Sequence, residues 1–155
     1  MPFFGGGGGA AAATTENVLH VYQQTPQTLN NGDNDIIYDI AVVDPSNQYD
    51  DSTGIFTISK TGTYLVQAGL NADGGSAGDI YDIKLADSAN VTLASINGSS
   101  TYADSGGTGR FAGLGTAFLT SGQDVKIVIY YAGGDNPTTN TAGPEFNVWK
   151  LFKLP

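Results

Sequence analysis

The sequence predicts an all-β domain, and three observations carry that prediction. Glutamate occurs only twice and charged residues make up 14% of the 155-residue chain, so the good formers of amphipathic helices are scarce. Valine, isoleucine, threonine and tyrosine, which suit a pleated surface, recur in short runs of period two. Twenty-two glycines and thirteen aspartates separate those runs with turn chemistry. The same composition argues against a helical bundle and against a nucleotide-binding α/β fold, which need several amphipathic helices.

The chain changes character near Glu16. Residues 5–13 are only glycine and alanine, a flexible tether, with Phe3 and Phe4 ahead of it as two large apolar side chains lacking a core of their own. This divides the chain into an arm, residues 1–16, and a head, residues 17–155. In the head, Asn17 to Gln23 reads as a first strand ended by Pro26. Asp35 to Val43 reads as one strand, with Ile36, Tyr38, Ile40 and Val42 on one face and Asp39 on the other. Ile55 to Ser59 sets Phe56 and Ile58 together; after a Lys60-Thr61-Gly62 turn, Thr63 to Leu70 aligns Tyr64, Val66, Ala68 and Leu70.

Beyond the Asp73-Gly74-Gly75-Ser76 loop, Tyr81, Ile83 and Leu85 alternate with Asp82 and Lys84. Val91 to Ile96 forms a short strand closed by the hairpin-type pair Asn97-Gly98. A strand of small residues, Arg110 to Leu119, turns at Ser121-Gly122 into one bearing Val125, Ile127, Ile129 and Tyr131. The last run carries Phe146, Val148, Phe152 and Leu154 on one face, and Trp149 and Leu151 on the other. About nine short strands separated by turns predict a sandwich or barrel. The closing strand is apolar on both faces, so one face needs cover from another sheet or, preferably, another subunit.

Charge and chemistry narrow the function. The formal net charge is −9 and the basic residues stand singly, which excludes a phosphate-neutralising patch and argues against nucleic acid and anionic membranes as partners. No apolar run approaches the roughly 20 residues of a membrane span, and the start of the chain, lacking a basic residue, reads as a poor secretion signal. With no cysteine and one histidine, His20, thiolate chemistry, cysteine metal sites and three-histidine metal sites are impossible. No nucleophile elbow occurs, and Gly106-Gly107-Thr108-Gly109-Arg110 lacks the ending of a phosphate loop. Asp33, Asp35 and Asp39, and Asp44 with Asp50 and Asp51, have a spacing that calcium can use and that ordinary turns also show. The expectation is a non-enzymatic protein with no cofactor, calcium being the alternative. Tyr102, Tyr130 and Tyr131 lie in or beside loops, where tyrosine makes adaptable recognition surfaces or simply packs inward.

The order of motifs resembles the complement 1q and tumour necrosis factor superfamily. Tyr49-Asp50-Asp51-Ser52-Thr53-Gly54-Ile55-Phe56-Thr57-Ile58-Ser59-Lys60-Thr61-Gly62-Thr63-Tyr64 is similar to its TG-x-FT-x-P-x-x-G-x-Y signature, with Ser59 in place of the proline. Phe118-Leu119-Thr120-Ser121-Gly122-Gln123-Asp124-Val125 resembles its L-x-x-GD-x-V segment, with Gln123 inserted. Phe146-Asn147-Val148-Trp149-Lys150-Leu151 resembles its final F-x-G-x-x-L strand, with Val148 replacing the glycine. The resemblance implies a jelly-roll sandwich forming a homotrimer, with Trp149, Phe152 and Phe146 at the trimer interface.

The opening Met1-Pro2-Phe3-Phe4 and its glycine run resemble the N-termini of some fibre and appendage proteins of tailed bacteriophages. That second resemblance implies a virion location, with Phe3 and Phe4 anchoring the head to a capsid or fibre platform. A trimeric capsid decoration protein is the first expectation. The alternative is the knob of a head or tail fibre that binds a host-surface receptor through the loops near Tyr102, Tyr130 and Tyr131. The arm spans at most about 50 Å when extended, which suits a head seated directly on its platform.

Overall fold

The computed structural model describes residues 14–76, 78–101, 108–140 and 147–155. Phe3, Phe4, Tyr102 and Phe146 therefore lie outside the described residues. Within them the chain is all-β, with every strand pairing antiparallel, in two sheets that enclose one core.

The first sheet has the order β3-β1-β13-β6-β10-β9, from Ile40–Val43 (β3), Glu16–Tyr22 (β1), Val148–Lys153 (β13), Gly62–Asp73 (β6), Thr108–Leu119 (β10) and Asn97–Thr101 (β9). A two-residue strand, Thr138–Thr139 (β12), also pairs with β6. The second sheet has the order β4-β5-β11-β7-β8, from Tyr49–Asp50 (β4), Ile55–Thr57 (β5), Asp124–Ala132 (β11), Ile80–Asp87 (β7) and Thr92–Ser95 (β8). Gly32–Asp35 (β2) lies beside β11 as well.

The predicted inward faces are the observed ones on the long strands. Tyr64, Val66, Ala68 and Leu70 of β6 meet Val125, Ile127, Ile129 and Tyr131 of β11 in the core, each 1% exposed or less. The count of strands differs: thirteen among the described residues, against about nine expected from pattern. Two crossings between the sheets account for much of the difference.

The stretch Asp35 to Val43 is not one strand. It leaves β2 in the second sheet, passes over residues 36–39 and enters β3 in the first. Ile36 and Tyr38 are buried on the way, while Val42, expected on the same face, is 55% exposed on the edge strand. The second crossing replaces the expected Asn97-Gly98 hairpin. The amide of Ile96 still bonds to the Ile83 carbonyl in the second sheet at 2.9 Å. Asn97, the next residue, already pairs with Leu114 in the first. The buried Ile96 side chain pins that passage, so the Asn-Gly pair continues a strand instead of reversing one.

Gly54 shows why the turn before β5 needs glycine. Asp50 folds the turn: its carbonyl accepts the Gly54 amide at 2.8 Å, and its carboxylate accepts the Ser52 amide at 2.9 Å. Gly54 then sits at φ +74°, and a Cβ there would lie 2.7 Å from the Ile36 carbonyl oxygen. Gly54→Ala is expected to cost at least about 1–2 kcal/mol from the left-handed backbone alone, and more from that contact. A lower urea midpoint at unchanged m-value is the result that checks it.

Candidate assembly interface

The outer face of the first sheet is built by strict alternation. Trp149 and Leu151 of β13 point into the core at 0% exposure, which turns Val148, Lys150 and Phe152 outward. Leu19 and Val21 of β1, also at 0%, likewise turn His20 and Tyr22 outward. Register then lines these residues up in three rungs across β1, β13, β6 and β10. The lowest runs Asn17, Phe152, Leu65, Thr116; the middle His20, Lys150, Gln67, Leu114; the upper Tyr22, Val148, Gly69, Ala112. Phe118 adds a further apolar group beside Thr63. Leu114 and Phe118 are 55% and 68% exposed.

None of the three rungs contains a carboxylate, in a chain with 15 acidic residues. The outer face of the second sheet is the contrast. There Asp82 is exposed, Lys84 pairs with Asp33 at 2.8 Å, and Lys126 pairs with Asp35 at 2.6 Å. One face is dressed with charge for water; on the other the three rungs hold no charged side chain but Lys150, beside His20, and Arg110 and Asp73 come only at the end of the same alternation on β10 and β6. Small residues also dent the neutral face: a cavity of about 190 Å³ opens over Gly69 and Ala112, walled by Val148, Asn71 and Arg110.

The sequence-derived site residues divide sharply. Phe152 is on this outer face. Trp149 is not: its indole is wholly buried between the sheets, with ring centroids 5.9 Å from Tyr49, 6.2 Å from Tyr38 and 6.5 Å from Phe56. The protomer's own core covers the apolar face that contains Trp149, so the open face of β13 is the one that contains Phe152. Tyr131 is corrected in the same way. At 0% exposure, its hydroxyl donates to Asp79 at 3.0 Å and accepts the Asp135 amide at 3.3 Å, so it braces a loop and offers no recognition surface. Burial, reinforced by Asp79, pushes the Tyr131 phenol above its ordinary pKa. Tyr130 is 41% exposed, on the outer face of the second sheet opposite Asp82.

The carboxylates considered for calcium act separately. Asp33 and Asp35 each hold a lysine, and Asp39 accepts the Thr25 hydroxyl and the Gln24 amide. For Asp39, burial opposes ionisation, but those hydrogen bonds outweigh it and lower the pKa. Asp44 accepts the Gln48 and Tyr49 amides. Among the described residues no three His, Cys, Asp or Glu side chains form a group that could hold a metal ion.

The two ends of the sandwich also differ. Glu16 pairs with Lys153 and forms an ion pair with Lys60 at 2.9 Å, so the start of β1 and the end of β13 meet at the turn before β6. The connections β1–β2, β6–β7 and β11–β12 lie at the opposite end. There a buried amide network ties them: Asn147 accepts the Asn71 amide at 2.5 Å and donates to Gln23 at 3.1 Å and to the Asn140 carbonyl at 2.6 Å.

Sequence reasoning missed Leu65, Leu114 and Phe118 as face residues. For Leu65 the signal was present in parity, since it alternates with Tyr64 and Val66 in the same run; the small-residue run from Arg110 to Leu119 shows no clear inward face from which to place Leu114 and Phe118.

No protein-family model and no curated protein matches the chain. Solved structures do. The globular domain of zebrafish complement 1qA protein superimposes with TM-score 0.61 at 15% identity, covering 88% of this chain and 96% of that one. Eiger TNF from S. frugiperda gives 0.61 at 18%, covering 90% and 94%. Murine APRIL at pH 8.0 gives 0.62 at 12%, covering 91% and 100%. The architecture of this chain is accordingly the jelly roll found in complement 1q and tumour necrosis factor domains.

Proposed function

We propose that the chain is a non-enzymatic structural protein of a virion, a homotrimeric capsid decoration protein held by its N-terminal arm. The observation that carries the trimer is the set of three carboxylate-free, largely apolar rungs on the outer face of the first sheet, on a protein otherwise rich in acids. Such a face is stabilised by covering it, and a closed symmetric assembly covers three copies at once. Phe152, Leu65, Leu114 and Phe118 form the contact. A mass measurement at micromolar concentration gives three times the chain mass; a stable monomer overturns the assembly.

The virion role draws on the resemblance of the arm to phage appendage proteins, and the position of Glu16 supports its geometry. An arm of residues 1–16 leaves the head at one end, so Phe3 and Phe4 reach a platform there while the loops at the other end face outward. Three copies of a modest anchor act through effective concentration. Deleting residues 2–13 is expected to leave the unfolding midpoint of the head unchanged and to abolish binding to particles. Full occupancy by the truncated head would overturn the anchor. The second reading, a fibre knob that binds a host-surface receptor, is favoured by the exposure of Tyr130 and by the loops at the far end. Imaging of intact particles separates the two: density across the shell supports decoration, and density confined to fibre tips supports the knob.

A further inference from the structure

On the assembly reading above, we propose that His20 makes the association of protomers depend on pH: the assembly holds while the imidazole is neutral and loosens as it takes up a proton. His20 is in the middle rung of the outer face, and its direct cross-strand partner there is Lys150. Antiparallel partners on one face stand close enough for like charges to oppose each other. Among the described residues the lysines in ion pairs are Lys60, Lys84 and Lys126, and no carboxylate stands between Lys150 and its neighbour.

Among the described residues the other elements around His20 offer a proton no compensation. Its partner on β3 is the apolar Val43. Asp44, next along the chain, already accepts the Gln48 amide at 2.9 Å and the Tyr49 amide at 3.0 Å. On β1 itself the outward neighbour is Tyr22. Across the rung beyond Lys150 come Gln67 and Leu114, both uncharged. Burial first, and Lys150 second, already hold the imidazole below its ordinary value of 6.5 in the single protomer.

Covering the face removes more water from the imidazole and brings symmetry-related Lys150 and His20 groups nearer, so its pKa falls further on assembly. The assembled state then binds fewer protons than the free protomers. Association is at full strength above the free protomer's pKa and is lost as pH falls below it. Each pH unit in that range weakens association by up to about tenfold per protomer, or about a thousandfold in the dissociation constant of a trimer. The attribution is clean because the chain has one histidine and no cysteine. No other side chain has its ordinary pKa between about pH 5.5 and 8.

The test is sedimentation velocity on the full chain from about pH 8 to about pH 5.5, a range in which ordinary carboxylates stay ionised. The expected result is a trimer at the upper end that dissociates toward the lower. His20→Gln is read only for its slope, which should be flat whatever its dissociation constant. An equal slope in His20→Gln, or a wild-type trimer unchanged across the range, overturns the switch and leaves the assembly standing. A monomer at pH 8 overturns the assembly reading and this inference with it. If His20→Gln does not assemble, the single imidazole resonance of the wild type decides: its titration must follow dissociation, and a midpoint elsewhere overturns the proposal.

Discussion

Trp149→Ala is expected to lower the unfolding free energy of the protomer by about 3–5 kcal/mol, a large share of the roughly 5–15 kcal/mol that holds a domain of this size. The indole is fully buried and comes from the first sheet, whereas Phe56 and Tyr49, which present their rings edge to face at 83° and 75°, come from the second. Tyr38, on the crossing between sheets, completes the cluster, and its amide donates to the Tyr49 hydroxyl at 2.9 Å. Truncation therefore opens a cavity at the joint between the sheets, where neither can move inward without breaking its ladder. Trp149→Phe should cost less, because Nε1 has no hydrogen-bond partner among the described residues and a phenyl ring keeps edge contacts. The measurement is urea unfolding followed by circular dichroism, since the substitution removes the only tryptophan. Loss of assembly with an unchanged unfolding midpoint is the outcome that would return Trp149 to the interface.

What the sequence made legible follows from how strictly period two is enforced. Where both ends of a run stay in one sheet, as in β6 and β11, inward and outward positions are fixed by burial, and Tyr64 through Leu70 read correctly. Alternation cannot show where a run changes sheets, because the chain keeps extended backbone while its partners change. Ile36 and Tyr38 are buried after the chain has left β2 and before it reaches β3, so the pattern Ile36-Tyr38-Ile40-Val42 looked continuous. The same limit hid the passage at Ile96. Trp149 was misplaced for a different reason. A two-faced apolar strand shows that one face is internal and the other needs cover, but the strand alone does not say which. Only the partners settle it: Tyr38, Tyr49 and Phe56 lie on the Trp149 side. The absence of carboxylates from the outer rungs was also out of reach, because it is a property of four strands in register and is scattered in sequence from Asn17 to Phe152.

Replacing Leu114 and Phe118 together by aspartate is expected to dissolve the assembly and leave the protomer folded. Both side chains are more than half exposed in the protomer, at 55% and 68%, so folding loses little when they become polar. Aspartate is a poor strand residue, and a cost of up to about 1 kcal/mol per site is the upper bound from propensity. In the proposed trimer the same positions count differently. Covering a leucine or phenylalanine stabilises by about 1.5–3 kcal/mol, and three-fold symmetry repeats each gain in every protomer. The substitutions remove those contributions and place two carboxylates per protomer on rungs that hold none, where covering an unpaired charge is costly. Lys150 shares a rung with Leu114 but is two strands away, with Gln67 between them, and is two rungs from Phe118, too far to neutralise both. The variant should sediment as a monomer at micromolar concentration with a near-native circular dichroism spectrum. Ile80→Asp is the control: Ile80 is 59% exposed on the outer face of the second sheet, beside Asp82 and Lys84, and its replacement should leave the trimer intact. If Ile80→Asp dissociates the protein while the double variant remains trimeric, the protomers meet through the charged sheet and the apolar face has another occupant.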